Sequence, residues 1–238
     1  MKFWNFYNKG DEGIELRIEG DIVDDNDVWM YEWFGESASA PNKFRNELDE
    51  YKNKDLTVWI DSYGGSVFAG ASIYNALKAH GGKVTVKIDS KAMSAASVIA
   101  MAGDEIIMSP VALMMIHNPL TGIFGDMQDL RKTADILDEV KESIMNAYEA
   151  KTDLSRDEIS EMMNIETYMS AKTALKHGFI DGIEDGETLD VANMQEFSFD
   201  RLSVVNNTQE SVKKAVEIMN QKDQETEKEK LLMELDLF

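Results

Sequence analysis

The sequence predicts an α/β fold in which helices flank sheets, and three observations carry this prediction. Residues 56–60 (LTVWI) form an almost continuous apolar run, as expected of a strand covered on both faces. The segment that follows, 66–80, has apolar side chains at helical spacing and stops before Gly81-Gly82. The same order of strand, helix and strand then recurs over residues 84–116. Repeated alternation of this kind is typical of α/β proteins.

The first half of the chain is predicted to alternate between short strands and helices. Its expected elements are a strand at 14–18, a strand at 56–60, a helix at 66–80, a strand at 84–88, a buried helix of small residues (MSAASVIAMAG) ending at Gly103, and strands at 105–108 and 112–116.

The second half begins with a long helix, 126–150, whose stripe at helical spacing includes Leu130, Leu137 and Ile144. Ser155 and Glu158 form the pattern of a capping box. A helix capped by Ser170 and ending at Gly178, and a strand within 179–183, are then expected. We predict one domain at 1–186 and an acidic tail at 187–238. The tail is expected to contain an amphipathic helix at 209–220, and its sequence continues with a charge run and an apolar end, LLMELDLF.

Composition limits the function. Twenty-four basic against 45 acidic side chains give a net charge of −21, which argues against binding to nucleic acid or to an anionic membrane. The chain has no cysteine, so thiolate chemistry and disulfides are absent. No apolar run reaches the roughly 18 residues of a spanning helix, and the first residues lack the pattern of a secretory signal. A cytoplasmic protein is expected, and the serine chemistry considered below needs no metal or organic cofactor.

The chain has three histidines, and they differ in setting. His80 and His177 each precede a glycine at the end of a predicted helix, where the helix dipole favours a histidine. His117 follows the apolar run at 112–116 and lies where a buried strand gives way to a loop. If the protein uses an imidazole as a general base, His117 is therefore the candidate.

Two serines are candidate nucleophiles because both lie where the strand at 84–88 is followed by a helix. Ser94 and Ser97 are close to free N–H groups at a helix N-terminus, which can stabilise an oxyanion. Periodicity does not choose between them. Gly64 and Gly65, directly after the strand at 56–60, permit a turn that aims further N–H groups outward.

Four blocks in register resemble the Clp protease proteolytic subunit family: DSYGGSVFAG, MSAASVIAMAG, MMIHNP and ETYMSAKTALKHGFID. The resemblance implies a Clp protease/crotonase-type fold of repeated strand–strand–helix units with a projecting handle helix, here 126–150. It also implies that Ser97 is the nucleophile and His117 the base, and that Gly65 and Val98 supply the oxyanion N–H groups. A homo-oligomer of stacked rings follows from the same resemblance.

The sequence departs from the family pattern at the third member of the triad. The family usually has an aspartate two residues before an aromatic, and here that position is Glu166. A longer carboxylate can still orient an imidazole, so we predict Glu166 and keep Asp181 and Asp157 as alternatives.

The chain is also similar to the Clp-like head maturation proteases of tailed bacteriophages and prophages. This resemblance implies a serine endopeptidase that cleaves scaffold or capsid proteins. The first alternative is an ATP-dependent Clp proteolytic subunit that works with an ATPase partner. An inactive ring subunit and a crotonase-type acyl-CoA enzyme are weaker alternatives.

Overall fold

The computed structural model describes residues 3–10, 13–24 and 41–184. Its elements are, in chain order, β1 (Trp4–Asn8), β2 (Ile14–Ile22), α1 (Pro41–Asp49), β3 (Leu56–Gly65), α2 (Val67–Lys78), β4 (Val84–Met93), α3 (Ala95–Ala100), β5 (Glu105–Met108), β6 (Leu113–Ile116), α4 (Met127–Glu149), α5 (Arg156–Asn164), β7 (Thr167–Ser170), α6 (Ala171–Lys176) and β8 (Gly182–Ile183).

Within the described residues, eight strands form one mixed sheet. Six of them follow the order β1-β2-β3-β4-β5-β8, and β6 and β7 branch from β4. Every pairing from β2 to β8 along this path is parallel, and β1 is an antiparallel edge strand. On the edge away from β3, strand β4 is long enough to pair with two partners. Its first half pairs with β5, and its end, Lys91–Met93, pairs in parallel with β6, which in turn pairs antiparallel with β7.

This topology brings the ends of four strands to one place. Strands β3, β4 and β6 run parallel, so their carboxyl ends meet at the same edge, where ligand sites of α/β sheets usually form. Strand β7 runs the other way, so its first residue lies beside the last residue of β6. The segments that follow β3, β4 and β6, and the one that precedes β7, therefore converge.

The predicted α/β fold is confirmed, and the main differences concern element length. Strand β4 continues to Met93, five residues beyond the predicted end at 88, because its last residues, Lys91–Met93, pair with β6. Strand β3 likewise continues through Gly65. Strand β1 and helix α1 were not predicted. Of the predicted strand at 179–183, only the last two residues pair with the sheet.

The predicted long helix is present as α4, and its two ends differ. Asp126 caps it by accepting hydrogen bonds from the backbone of Gln128 and Asp129. Towards its carboxyl end, Met145, Ala147 and Tyr148 are buried, whereas Leu130 and Ile136 in the earlier turns are exposed. The helix is therefore anchored at one end and projects at the other.

The remaining predictions on domain organisation concern residues that are not described. The proposed boundary at 186, the helix at 209–220 and the apolar end LLMELDLF all lie outside the described residues. In the part of the chain that the structure does describe, no helix is both long and apolar enough to cross a membrane.

Candidate active site

Ser94 lies between β4 and α3, at the edge where the parallel strands end. Its backbone N–H donates to the carbonyl of Met115 on β6 at 2.9 Å. The chain turns sharply here, with φ 54° and ψ −126°, a conformation that non-glycine residues rarely adopt. The Ser94 hydroxyl lies 2.8 Å from Nε2 of His117, and both side chains are only partly buried. The structure thus joins a serine and a histidine in a hydrogen bond that solvent can approach.

The end of β3 makes room for this turn because Gly64 has no side chain. A Cβ at Gly64 would lie 2.7 Å from the Ser94 Cβ and 2.7 Å from the carbonyl oxygen of Met93. Gly65 is equally confined on the other side, where a Cβ would lie 2.1 Å from the carbonyl oxygen of Ile22. Both glycines also have positive φ. The Gly-Gly pair is therefore required by close backbone approach as well as by conformation.

The prediction that Ser97 is the nucleophile does not fit this geometry. Ser97 is 0% exposed, and its hydroxyl bonds to the Ser94 carbonyl oxygen at 2.6 Å and to the Tyr148 hydroxyl at 2.8 Å. The hydrogen bond to His117 belongs to Ser94 instead. The physical reason is the length of β4. Because the strand continues to Met93, Ser94 occupies the turn at its end, and Ser97 falls in the first turn of α3 with its side chain directed into the core.

If Ser94 is the nucleophile, the N–H groups that could bind the oxyanion differ from those predicted for Ser97. The Val98 N–H is directed to the Ser94 carbonyl oxygen at 3.4 Å, inside the first turn of α3. Ala95, the residue after Ser94, is the first residue of that helix, where the N–H has no partner within the helix. At the end of β3, the Gly64 N–H donates to the Ser62 hydroxyl at 3.0 Å. This leaves the backbone of Ala95 and of the predicted Gly65 as candidate donors.

Glu166 lies next to His117 through strand pairing. Ile116, at the end of β6, is paired with Thr167, at the start of β7. His117 and Glu166 are the next residues outward from this pair, and both are partly buried. Glu166 also has positive φ, 53°.

The two alternative acids lie in other settings. The Asp181 carboxylate accepts from the Ile106 N–H at 2.7 Å and pairs with Lys151 at 2.8 Å. Asp157 is exposed in the first turn of α5. Among the three candidate acids, the topology therefore brings Glu166 to the histidine.

A signal for Ser94 was present in the sequence but weak. Two serines three residues apart both follow β4, and the residue in the turn is the one directly after the strand. Identifying it required the end of β4 to be placed within one residue. Polar residues at 89–91 interrupt the apolar pattern and hide that end.

Comparison with known proteins identifies the family of the chain. The family model described as Clp protease matches residues 47–187, more than half of the chain. The chain belongs to the Clp protease family. The matched range contains β3, Ser94, His117 and Glu166, so the whole candidate site lies inside the family domain.

Curated relatives from three bacteria are each named ATP-dependent Clp protease proteolytic subunit. The chain is 31% identical to the one from Deinococcus radiodurans over 134 residues, which is 56% of this chain and 66% of the relative. It is 31% identical to the one from Porphyromonas gingivalis over 132 residues, 55% of this chain and 60% of the relative. For Bacteroides fragilis the identity is 30% over 132 residues, 55% of this chain and 64% of the relative. The chain thus spans slightly less than two thirds of each relative.

Proposed function

We propose that this Clp-family chain is a serine endopeptidase in which Ser94 is the nucleophile, His117 the general base and Glu166 the acid that orients the imidazole. The observation that carries the proposal is the 2.8 Å contact between the Ser94 hydroxyl and His117 Nε2. A nucleophile within hydrogen-bond reach of a base is the arrangement that activates a hydroxyl. The partly open position of both groups admits a substrate.

In this mechanism the Ser94 oxygen attacks the scissile carbonyl carbon while its proton passes to His117 Nε2. Transfer to Nε2 requires the neutral imidazole to carry its proton on Nδ1, and the Glu166 carboxylate would hold that tautomer and stabilise the imidazolium. The carbonyl oxygen becomes an oxyanion that accepts from the N–H groups of Ala95 and Gly65. His117 then returns the proton to the leaving amine, and water hydrolyses the acyl-enzyme by the same steps in reverse.

We propose a polypeptide substrate and a homo-oligomeric assembly. The names of the relatives favour a proteolytic subunit that works with an ATPase over the predicted head-maturation protease. Cleavage of capsid or scaffold protein stays a prediction. The two roles differ in their need for ATP. Degradation of an unfolded protein only when a Clp-type ATPase and ATP are added supports the first, and ATP-independent cleavage of a scaffold protein at fixed sites supports the second.

The assignment of the nucleophile is tested with a fluorophosphonate probe and a short fluorogenic peptide. Ser94→Ala should abolish labelling and lower kcat by about 10⁴-fold or more, because no other group at the site can form the acyl-enzyme. Ser97→Ala is the matched control, since it removes one hydroxyl three residues away and should keep the label. Labelling at Ser97, or full activity of Ser94→Ala, would show that the assignment is wrong.

A further inference from the structure

Two buried hydroxyls lie behind the candidate nucleophile and take no part in the chemistry proposed above. Ser97 is in contact with the Ser94 carbonyl oxygen on one side and with the Tyr148 hydroxyl on the other. Tyr148 comes from the anchored end of α4 and packs edge-on against Phe179, with ring centroids 5.7 Å apart. Both hydroxyl-bearing residues are buried.

The direction of these hydrogen bonds follows from the groups involved. A carbonyl oxygen only accepts, so the single Ser97 hydroxyl proton is donated to Ser94. The Tyr148 hydroxyl must then donate to the Ser97 oxygen. The result is a chain in which Tyr148 donates to Ser97 and Ser97 donates to the Ser94 carbonyl. Burial raises the pKa of Tyr148 above its usual range, so the phenol keeps the proton that this chain requires.

The Ser94 carbonyl is in turn rigidly connected to the Ala95 N–H. The two groups belong to one planar peptide unit and point in opposite directions. Two backbone donors, the N–H groups of Ser97 at 3.0 Å and Val98 at 3.4 Å, already reach this oxygen. The Ser97 hydroxyl, at 2.6 Å, makes the shortest contact of the three. Fixing the oxygen on the buried side therefore fixes the direction of the N–H on the substrate side.

We infer that Ser97 and Tyr148 are positioning residues that aim the Ala95 N–H at the oxyanion by holding the Ser94 carbonyl. The inference rests on the proposed function, since it needs Ser94 to be the nucleophile. It assigns a role to a residue of the long helix α4, whose Tyr148 supports the turn from behind. Substrate binding in the ground state does not depend on this hydrogen-bond chain, whereas the tetrahedral transition state does.

The test compares Ser97→Ala, Tyr148→Phe and the double variant on a short fluorogenic peptide, with active sites counted by fluorophosphonate titration. Ser97→Ala should lower kcat about 10-fold with KM changed less than about 2-fold, a smaller loss than removing an oxyanion donor outright. Tyr148→Phe should lower kcat about 3-fold. The double variant should be no slower than Ser97→Ala, because the tyrosine acts through the serine.

A peptide boronate provides a readout that a merely structural role would not change. Its tetrahedral adduct on Ser94 places an oxygen where the oxyanion forms, so its inhibition constant should rise by the same factor as kcat/KM falls. Thr152→Val is the matched control. It removes a buried hydroxyl that donates to the Tyr148 carbonyl at 3.0 Å and takes no part in the hydrogen-bond chain from Tyr148 to Ser94. It should lower thermal stability and leave kcat and boronate affinity unchanged.

The outcomes separate this inference from the proposed function. If the wild type is labelled at Ser94 but titrated Ser97→Ala has wild-type kcat and boronate affinity, the inference alone is overturned. Equal losses in Ser97→Ala and Thr152→Val would overturn it as well, because both would then reflect stability. If the wild type is not labelled at Ser94, the proposed nucleophile is wrong and the inference falls with it.

Discussion

Residues of the candidate site also stand out by their backbone conformation. Among the residues that the structure describes, three non-glycine residues have positive φ, and two of them, Ser94 and Glu166, belong to the candidate site. A conformation of this kind costs on the order of 1–3 kcal/mol and persists only where its surroundings enforce it. At Ser94 those surroundings are the bonds to Met115 and Ser97 and the absence of a side chain at Gly64.

Gly64 therefore provides a test at the scale of one methyl group. Gly64→Ala should abolish peptide hydrolysis, because the new Cβ would collide with the Ser94 Cβ and the Met93 carbonyl at 2.7 Å. Gly20→Ala is the matched control. It has positive φ too, 82°, but nothing lies within 4 Å of its added Cβ. Both variants should lose stability in urea unfolding, and only Gly64→Ala should lose activity per folded molecule. Equal activities would contradict the close approach.

The third member of the triad is tested by charge removal without a change of size. Glu166→Gln should lower kcat by about 10²- to 10⁴-fold, because the imidazolium loses its counter-charge, and less than His117→Ala does. Asp181→Asn is the control for loss of a carboxylate elsewhere. It should weaken the bonds to Ile106 and Lys151 and lower the melting temperature, with kcat retained. An inactive Asp181→Asn beside an active Glu166→Gln would move the role to Asp181.

At the scale of the element, helix α5 shows how local capping orders the segment before β7. The Ser155 hydroxyl and backbone N–H donate to Glu158 at 2.6 and 2.8 Å, which holds the pKa of that carboxyl below its usual value of 4.5. A lowered pKa in the folded state means that the charged form stabilises the fold above pH 4.5. That contribution is lost as the pH falls through the lower, folded-state value.

The pH dependence of unfolding checks this contribution. Glu158→Gln should be less stable than the wild type above about pH 5, and the difference in free energy of unfolding should shrink as the pH falls below 4.5. Ser155→Ala, which removes the hydroxyl donor, is the control, and on that background Glu158→Gln should cause a smaller difference. A difference for Glu158→Gln that stays constant down to pH 3 would contradict the assignment.

At the scale of the whole molecule, the exposed turns of α4 predict self-association. A groove runs between α2 and α4, with Phe68 on one side and Ile136 and Val140 on the other, and the polar residues Lys132, Asp135, Glu139 and Ser143 complete its lining. Ile136 is 50% exposed, and Leu130 is exposed as well. Apolar surface of this kind on a projecting helix is typical of an interaction site.

Light scattering tests this prediction. The wild type should be a homo-oligomer, and Ile136→Asp should dissociate it because a carboxylate would have to be desolvated at the contact. Val111→Asp is the control, since Val111 is 88% exposed in the turn between β5 and β6 and receives the same charge. A monomeric wild type with full activity would rule out the predicted assembly.

The sequence by itself determined the α/β class, because apolar runs and helices that end before glycines are local patterns. Each can be recognised from neighbouring residues alone. It also singled out His117 as the candidate base, since one histidine of three follows a buried strand. The choice between Ser94 and Ser97 was left to the tertiary structure. Three residues separate them, and only the pairing of β4 with β6 shows which one faces the histidine and which the core. The hydrogen bond between Ser97 and Tyr148, 51 residues apart, could not be predicted from the sequence either. A contact between distant segments forms only when the long helix folds against the sheet.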